Sequence, residues 1–459
     1  MFSDVTLPVW LLVLILLFAA VTFATHFLNP TVRWFLRARM ERVVAQLNTR
    51  LHVPIQPFKL ARRHDTILRL IYDPEVTRAV ADHARATGLR EDAAFALAQK
   101  YAREIVPSFS ATAYFGFASR AARWLSNSLY DVQLEQGGEN MLRGIDPQST
   151  VVFVVNHRSN MDYVLLTWLV SPRAALSYAV GEWARVWPLS GLIRAMGAYF
   201  IRRHSHSALY RTVLARYVQM ATEAGVTQAM FPEGRLSLDG RPGPVKMGLL
   251  SYIIAGAKRD VTFVPVAFNY DRVLEDRLLL RAGELGKRRF RGSVLRNGSR
   301  ILGWIGARLI GREHRFGHVA VAFGAPLSLR DVPDATDVAA ITKALMLRLH
   351  HAVPVLPVPL VCTVLQGAQG PVTPDRLERE NAALCACLAK MPEVMCLSDV
   401  PAALAVLVRR GLVRCDNGFV SVMPGQEPVI AFYGASIAHH FRANAAVQED
   451  LQLSKSKET

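Results

Sequence analysis

The stretch STVVFVVNHRSNMDYVLLTWLV, residues 149–170, decides how this chain is read. Its first half, VVFVV, is a β-branched apolar run that ends at Asn156, with His157 directly after it. From about Asn160 onward, YVLLTWLV has the look of a helix. A His and an Asp five positions apart share no face of a regular helix or strand. A strand-to-helix turn between them can bring the two side chains together, with Asp162 reaching back from the first helical turn to His157. That is the arrangement of a base and its orienter: the carboxylate keeps one imidazole nitrogen protonated and leaves the other free to take a proton from an alcohol. Spacing alone does not decide the matter, because an Asp in a first helical turn is also favoured by the helix dipole.

Working outward, short β-rich runs alternate with helical segments from residue 146 on. The runs are LSYAV (176–180), AYFI (198–201), TQAMF (227–231), TFVPVAF (262–268) and VAVAF (319–323). Between them, SALYRTVLARYVQMATEAG (207–225) and VKMGLLSYIIAGAKR (245–259) have helical period. Such alternation predicts an α/β domain with a largely parallel central sheet, whose chemistry belongs at strand ends and helix starts.

Three further segments there bear on the same chemistry. GAYFIRRH (197–204) finishes in Arg202 and Arg203, whose guanidinium forks suit a phosphate; surface arginines would look the same. FPEGRLSLDGRPGPVKMG (231–248) runs from a strand into a Gly- and Pro-rich loop with Glu233, Gly234, Arg235, Ser237, Arg241 and Lys246. Such a loop can offer backbone N–H groups and cations to an anion, while Glu233 accepts from substrate hydroxyls or anchors the arginines. In FVPVAFNY (263–270), Pro265 inside an apolar strand predicts a sheet edge or a ligand-lined irregularity.

In this order, NHRSNMD, GAYFIRR, FPEGRLS and FVPVAF resemble the four blocks of the glycerolipid acyltransferase superfamily. The wording of the first two looks most like the bacterial-type glycerol-3-phosphate acyltransferases. YAREIVPSF (101–109), LSNSLYD (125–131), FGHVAVAFGAPLSL (316–329) and AFYGASIAHHF (431–441) are similar to that family's flanking regions. One departure stands in the third block, where the family usually has Glu-Gly, one residue, Arg, Ser: Leu236 occupies the arginine slot and Arg235 precedes it. The chain is also short for the family.

The resemblance implies direct acyl transfer from a thioester of CoA or acyl carrier protein to the C1 hydroxyl of glycerol 3-phosphate. His157 would act as base and Asp162 as its orienter. Arg202, Arg203, Glu233, Gly234, Arg235, Ser237, Arg241, Lys246 and Pro265 would line the substrate site. No cofactor or metal is expected, since a thiolate leaves without a Lewis acid, and no Ser or Cys sits in a nucleophile-elbow context. A backbone amide near the start of the 161–170 helix is the candidate oxyanion donor. The rival acceptor is 1-acylglycerol 3-phosphate, which the same blocks serve, although the long helical N-terminal region and the 431–441 segment favour the first-step enzyme. A catalytically silent lipid-binding scaffold is the other alternative, against which intact His157, Asp162 and Glu233 speak.

The remaining sequence sets the surroundings. Net charge is +17 and the pI about 10.0, so the partners are anionic; no nucleic-acid motif is present. Residues 5–28 contain no Asp, Glu, Lys or Arg and are long enough for a transmembrane anchor. Arg33, Arg37, Arg39 and Arg42 follow, which predicts a cell inner-membrane protein with its catalytic domain on the cytoplasmic side. Residues 286–315 hold nine Lys or Arg against the single acid Glu313 and bracket a Trp304-bearing apolar run, as an interfacial segment on anionic lipid would. Residues 31–145 read as a helical N-terminal region, 146–330 as the catalytic α/β domain, 331–445 as mainly helical, and 446–459 as a polar tail. The five cysteines read as free, mostly buried thiols in a reducing compartment.

Overall fold

The computed structural model describes residues 8, 14–16, 41–135, 144–181, 189–202, 207–286, 303, 315–368, 370–391 and 394–441. The anchor expected at 5–28 (save four residues), nearly all of 286–315, the tail and Arg203 lie outside them. No helix among the described residues is long and apolar enough to cross a membrane.

A mixed sheet forms the middle layer. Its strands are β1 (Asp131–Leu134), β2 (Thr150–Val155), β3 (Ser177–Gly181), β4 (Tyr199–Ile201), β5 (Gln228–Met230), β6 (Val261–Tyr270), β7 (His318–Phe323) and the short β8 (Leu327–Ser328). They run in the order β1-β7-β6-β2-β5-β3-β4, with β8 beside the start of β6. The five strands from β6 to β4 are mutually parallel, whereas β7 runs antiparallel to β6. Every residue of β2 and β6 is buried, as expected for parallel strands covered on both faces. The expected strands all form. Sequence reading missed β1, inside the region read as helical, and β8; both strands are short and one has no apolar run.

Period-two alternation sorts these strands between two cores. Val151, Phe153 and Val155 of β2, with Val264, Val266, Phe268 and Tyr270 of β6, face one side. Val152, Val154, Val261, Phe263 and Ala267 face the other. The second side is covered by α1 (Arg63–Ile71), α2 (Pro74–Thr87), α3 (Glu91–Ile105), α6 (Ala208–Glu223), α7 (Gly248–Ala255) and α9 (Val338–His351). On the first side lie α4 (Ser119–Leu129), α5 (Met161–Val170), α8 (Asp276–Glu284), α10 (Pro357–Gly367), α12 (Val400–Arg409) and α13 (Glu427–Ala435).

Two expectations are corrected here. Pro265 is not at an edge: β6 is central, pairing with β2 on one flank and with β7 and β8 on the other. It is tolerated because it sits opposite the bend that joins β7 to β8, where no ladder N–H is required; its carbonyl accepts from Gly324 N at 3.0 Å. Only Cys362 among the five free thiols is fully buried; Cys385, Cys387 and Cys396 are half-buried and Cys415 exposed. The C-terminal region is helical as expected, with α11 (Pro374–Leu388) beside α10, but it also contains a hairpin of β9 (Val413–Asp416) and β10 (Phe419–Val422) turned through Asn417 and Gly418.

Candidate active site

The polar strand ends gather at the carboxyl edge of the parallel strands. Asn156 terminates β2 by clasping β6: its Nδ2 donates to the Phe268 carbonyl at 2.9 Å, and its Oδ1 accepts from Phe268 N at 2.8 Å. The clasp fixes where His157 begins. His157 Nδ1 lies 3.1 Å from Asp162 Oδ2 in the first turn of α5. A carboxylate only accepts, so Nδ1 carries the proton and Nε2 is left as the basic nitrogen. Both side chains are buried, and the imidazole is flanked by the rings of Phe231 and Tyr163 at 4.5 and 5.3 Å.

Asp162 is itself held from every side. Oδ2 also accepts from the backbone N–H groups of Arg158 (2.8 Å) and Ser159 (3.0 Å), and Oδ1 accepts from the Tyr270 hydroxyl at 2.5 Å. Burial first, and the Asp162 carboxylate next, push the Tyr270 phenol well above its ordinary range, so it remains a donor. Glu275, ahead of α8, anchors the same loop: it accepts from Ser159 Oγ at 2.8 Å and from Asn160 N and Nδ2 at 3.3 and 3.0 Å. The amides of residues 158–162 are thereby all engaged, with Met161 N on Ser159 Oγ and Asp162 N on the Ser159 carbonyl. They do not supply the oxyanion donor expected near the start of this helix; side-chain capping of the turn takes them first.

Glu233, at the end of β5, faces inward rather than toward the loop's arginines. It accepts from His157 N at 3.3 Å and Gly243 N at 2.7 Å, while burial raises its carboxyl above the usual range. Ser237 N donates to the His157 carbonyl at 3.2 Å and Ser237 Oγ to the Arg241 carbonyl at 2.6 Å. Loop 234–246 is therefore stitched to both sides of the His157 backbone. Gly234 has φ +65°, and an added Cβ there would meet Lys246 Cδ at 3.2 Å, so the lysine stem lies over it. Arg235 and the exposed Arg241 make no side-chain ion pair among the described residues.

Arg202, at the end of β4, is already clamped. Its Nε and Nη2 donate to Glu104 of α3 at 2.9 and 2.7 Å, its guanidinium lies over the rings of Tyr101 and Tyr210, and the Glu104 hydrogen bond raises it further. The structure thus brings His157, Asp162, Glu233, Gly234, Ser237 and Lys246 together and ties Arg202 to the N-terminal helices. Pro265 falls on the opposite face of β6 from Tyr270.

Comparison with known proteins follows the same division. Residues 135–269 match the family model described as Acyltransferase, and residues 306–452 match the glycerol-3-phosphate acyltransferase C-terminal region. The chain is thus similar in two separate segments to bacterial proteins named glycerol-3-phosphate acyltransferase. It is 31% identical over 60% of its length to "Glycerol-3-phosphate acyltransferase" of Pseudomonas fluorescens SBW25, covering 32% of that protein. With the protein of the same name from Shewanella amazonensis it shares 28% identity over 84% of the chain and 51% of the relative. The chain therefore spans about a third to a half of the length of these relatives. A solved 1-acyl-sn-glycerophosphate (LPA) acyltransferase from Thermotoga maritima aligns over 51% of this chain and 77% of that one at 21% identity and TM-score 0.32, too slight a likeness to bear on the acceptor.

Sequence reasoning missed Tyr270, Glu275 and the clasp by Asn156. Tyr270 and Glu275 fall between the two matched segments, more than a hundred residues from the loop they hold. A buried tyrosine closing a strand and a glutamate opening a helix were the available signals.

Proposed function

We propose that this chain transfers a fatty acyl group from a CoA or acyl carrier protein thioester to the C1 hydroxyl of glycerol 3-phosphate. The observation that carries the reading is the buried His157–Asp162 pair, with Nδ1 of the imidazole committed to the carboxylate. Nε2 then takes the proton of the C1 hydroxyl as its oxygen attacks the thioester carbonyl, and Asp162 stabilises the imidazolium that forms. The C–O bond forms, the C–S bond breaks, and the imidazolium returns its proton to the departing thiolate. Loop 234–246 is the favoured place for the acceptor phosphate, since Arg235, Arg241 and Lys246 gather there and Arg202 is spent on Glu104. Residues 5–28 would anchor the chain in the inner membrane with this site on the cytoplasmic side, on anionic lipid, as hydropathy and the arginines after it suggest.

The test is an acyl-transfer assay of the detergent-solubilised chain with glycerol 3-phosphate and 1-acylglycerol 3-phosphate, each with both donors. Transfer to glycerol 3-phosphate is expected, and His157→Ala should lower it by roughly 10²–10⁴-fold. Transfer confined to 1-acylglycerol 3-phosphate, or a variant retaining more than about a tenth of the rate, would sink the reading.

A further inference from the structure

Arg158, directly after His157, has an unusual environment. It is 6% exposed, and Nη1 donates to the Gly240 carbonyl in loop 234–246. The guanidinium lies over the ring of Phe432 in α13, 5.4 Å from its centroid. Nε and Nη2 have no hydrogen-bond partner among the described residues. Burying a guanidinium with donors unfilled is costly, and chains retain such an arrangement only where neighbouring charge offsets it. The anionic neighbours are Glu233 and Asp162, the two carboxylates that touch His157; Tyr270, Tyr433 and His439 are the other titratable groups near it.

The same spot is where three segments meet. Gly240 has φ +86°, and a Cβ built on it would stand 1.9 Å from the Phe432 carbonyl oxygen, so loop and helix backbones are in direct contact. Arg158 spans that contact from the third side. Its main-chain N–H is on Asp162 while its side chain holds Gly240, so one residue links the catalytic turn to the loop and to the C-terminal helix.

We propose that Arg158 is a positioning residue for acyl transfer, setting loop 234–246 and helix α13 in register with His157. It acts through the backbone. With Gly240 held, Ser237 N and Gly243 N stay aligned on the His157 carbonyl and on Glu233. The proposal rests on the acyltransferase reading above.

Arg158→Ala and Arg158→Lys test it in the full chain in detergent. Both should lose kcat, roughly 10²-fold for alanine as for other small misplacements of a catalytic group, with KM for acceptor and donor nearly unchanged. Lysine keeps the charge without the fork and should recover only part of the rate. Added guanidinium should raise the rate of Arg158→Ala but not of His157→Ala. Amide exchange at residues 234–246 should quicken in both variants while α1–α3 keep wild-type protection. A rise in acceptor KM alone would make Arg158 a substrate ligand instead, and loss of the whole fold in both variants would make it a fold determinant; either overturns the proposal, as does wild-type kcat. Wild-type protein inactive on glycerol 3-phosphate would count against the acyltransferase reading, and unchanged exchange at 234–246 would then count against the positioning role on its own.

Discussion

Tyr270 shows how much of the site depends on a single hydroxyl. Asp162 Oδ1 accepts only from that phenol among the described residues, while Oδ2 serves His157 and two amides. Tyr270→Phe removes the donor and keeps the ring, which packs edge-on against Tyr130. A buried carboxylate oxygen left unpaired costs about 1–3 kcal/mol. Because the amides still fix Oδ2, the base pair should persist in a looser form. The expected result is a kcat lowered by roughly tenfold, matching the low end of that cost, with substrate KM values near wild type; unchanged kcat would remove Tyr270 from the support of Asp162. At this scale the sequence was informative wherever partners were local. His157 and Asp162 are five apart, and the turn between them was readable. Glu275, 116 positions from Ser159, left no local trace.

Elements make their own predictions, because two of them meet the site end-on. Gly240 faces the Phe432 carbonyl with no room for a Cβ and with a backbone that L side chains rarely adopt. Gly240→Ala should therefore cost roughly 2–4 kcal/mol through strain and overpacking. Thermal melting and exchange at 427–441 would measure it, and a variant with wild-type melting would mean that loop and helix part without penalty. The chain beyond α13 carries a second device. His439 Nε2 donates to the His350 carbonyl and His440 Nε2 to that of Val353. Burial, with the neighbouring imidazoles, pulls His439 down to about 3 and His440 to about 4 from an ordinary 6.5. A depressed folded value means the unfolded chain takes protons first, so this stability is complete above about pH 6.5 and is lost as pH falls toward about 4 for His440 and about 3 for His439. Melting temperature should drop over that window, and His439→Gln with His440→Gln should flatten the drop. Parallel slopes in variant and wild type would place the acid sensitivity elsewhere.

For the whole molecule, the C-terminal region is part of the site's support. Beside the Arg158 contact, the Tyr433 hydroxyl donates to Asp276 Oδ2 at 2.6 Å and accepts from Val273 N at 3.0 Å, and Arg410 pairs with the same Asp276. Asp271 receives Val358 N and His318 N. Residues 271–276 are thereby fixed from the C-terminal side, and Glu275 among them fixes the turn that carries His157 and Asp162. The proposed membrane anchor lies at the other end of the chain. Deleting residues 1–30 should weaken association with vesicles containing anionic lipid, with residues 286–315 retaining a salt-sensitive part of it. Co-sedimentation at low and high salt measures both contributions. Equal sedimentation of deleted and full-length chain would show that residues 5–28 are not the anchor.

What the sequence determined by itself was whatever rests on neighbours along the chain. Short β-rich apolar runs made the parallel strands, three- and four-residue spacing made the helices between them, and one tight turn joined His157 to Asp162. Tertiary structure decided whatever rests on which groups compete for the same partner. Glu233 went to two backbone amides because the loop folds back over it, and Arg202 went to Glu104 because α3 crosses the end of β4. Pro265 could enter a central strand because its flank on one side is a bend. The amides of residues 158–162 were spent on Asp162, Glu275 and Ser159 before any substrate could use them. A hydrogen-bond donor or acceptor has a fixed capacity, and only the folded chain brings together the distant groups that fill it.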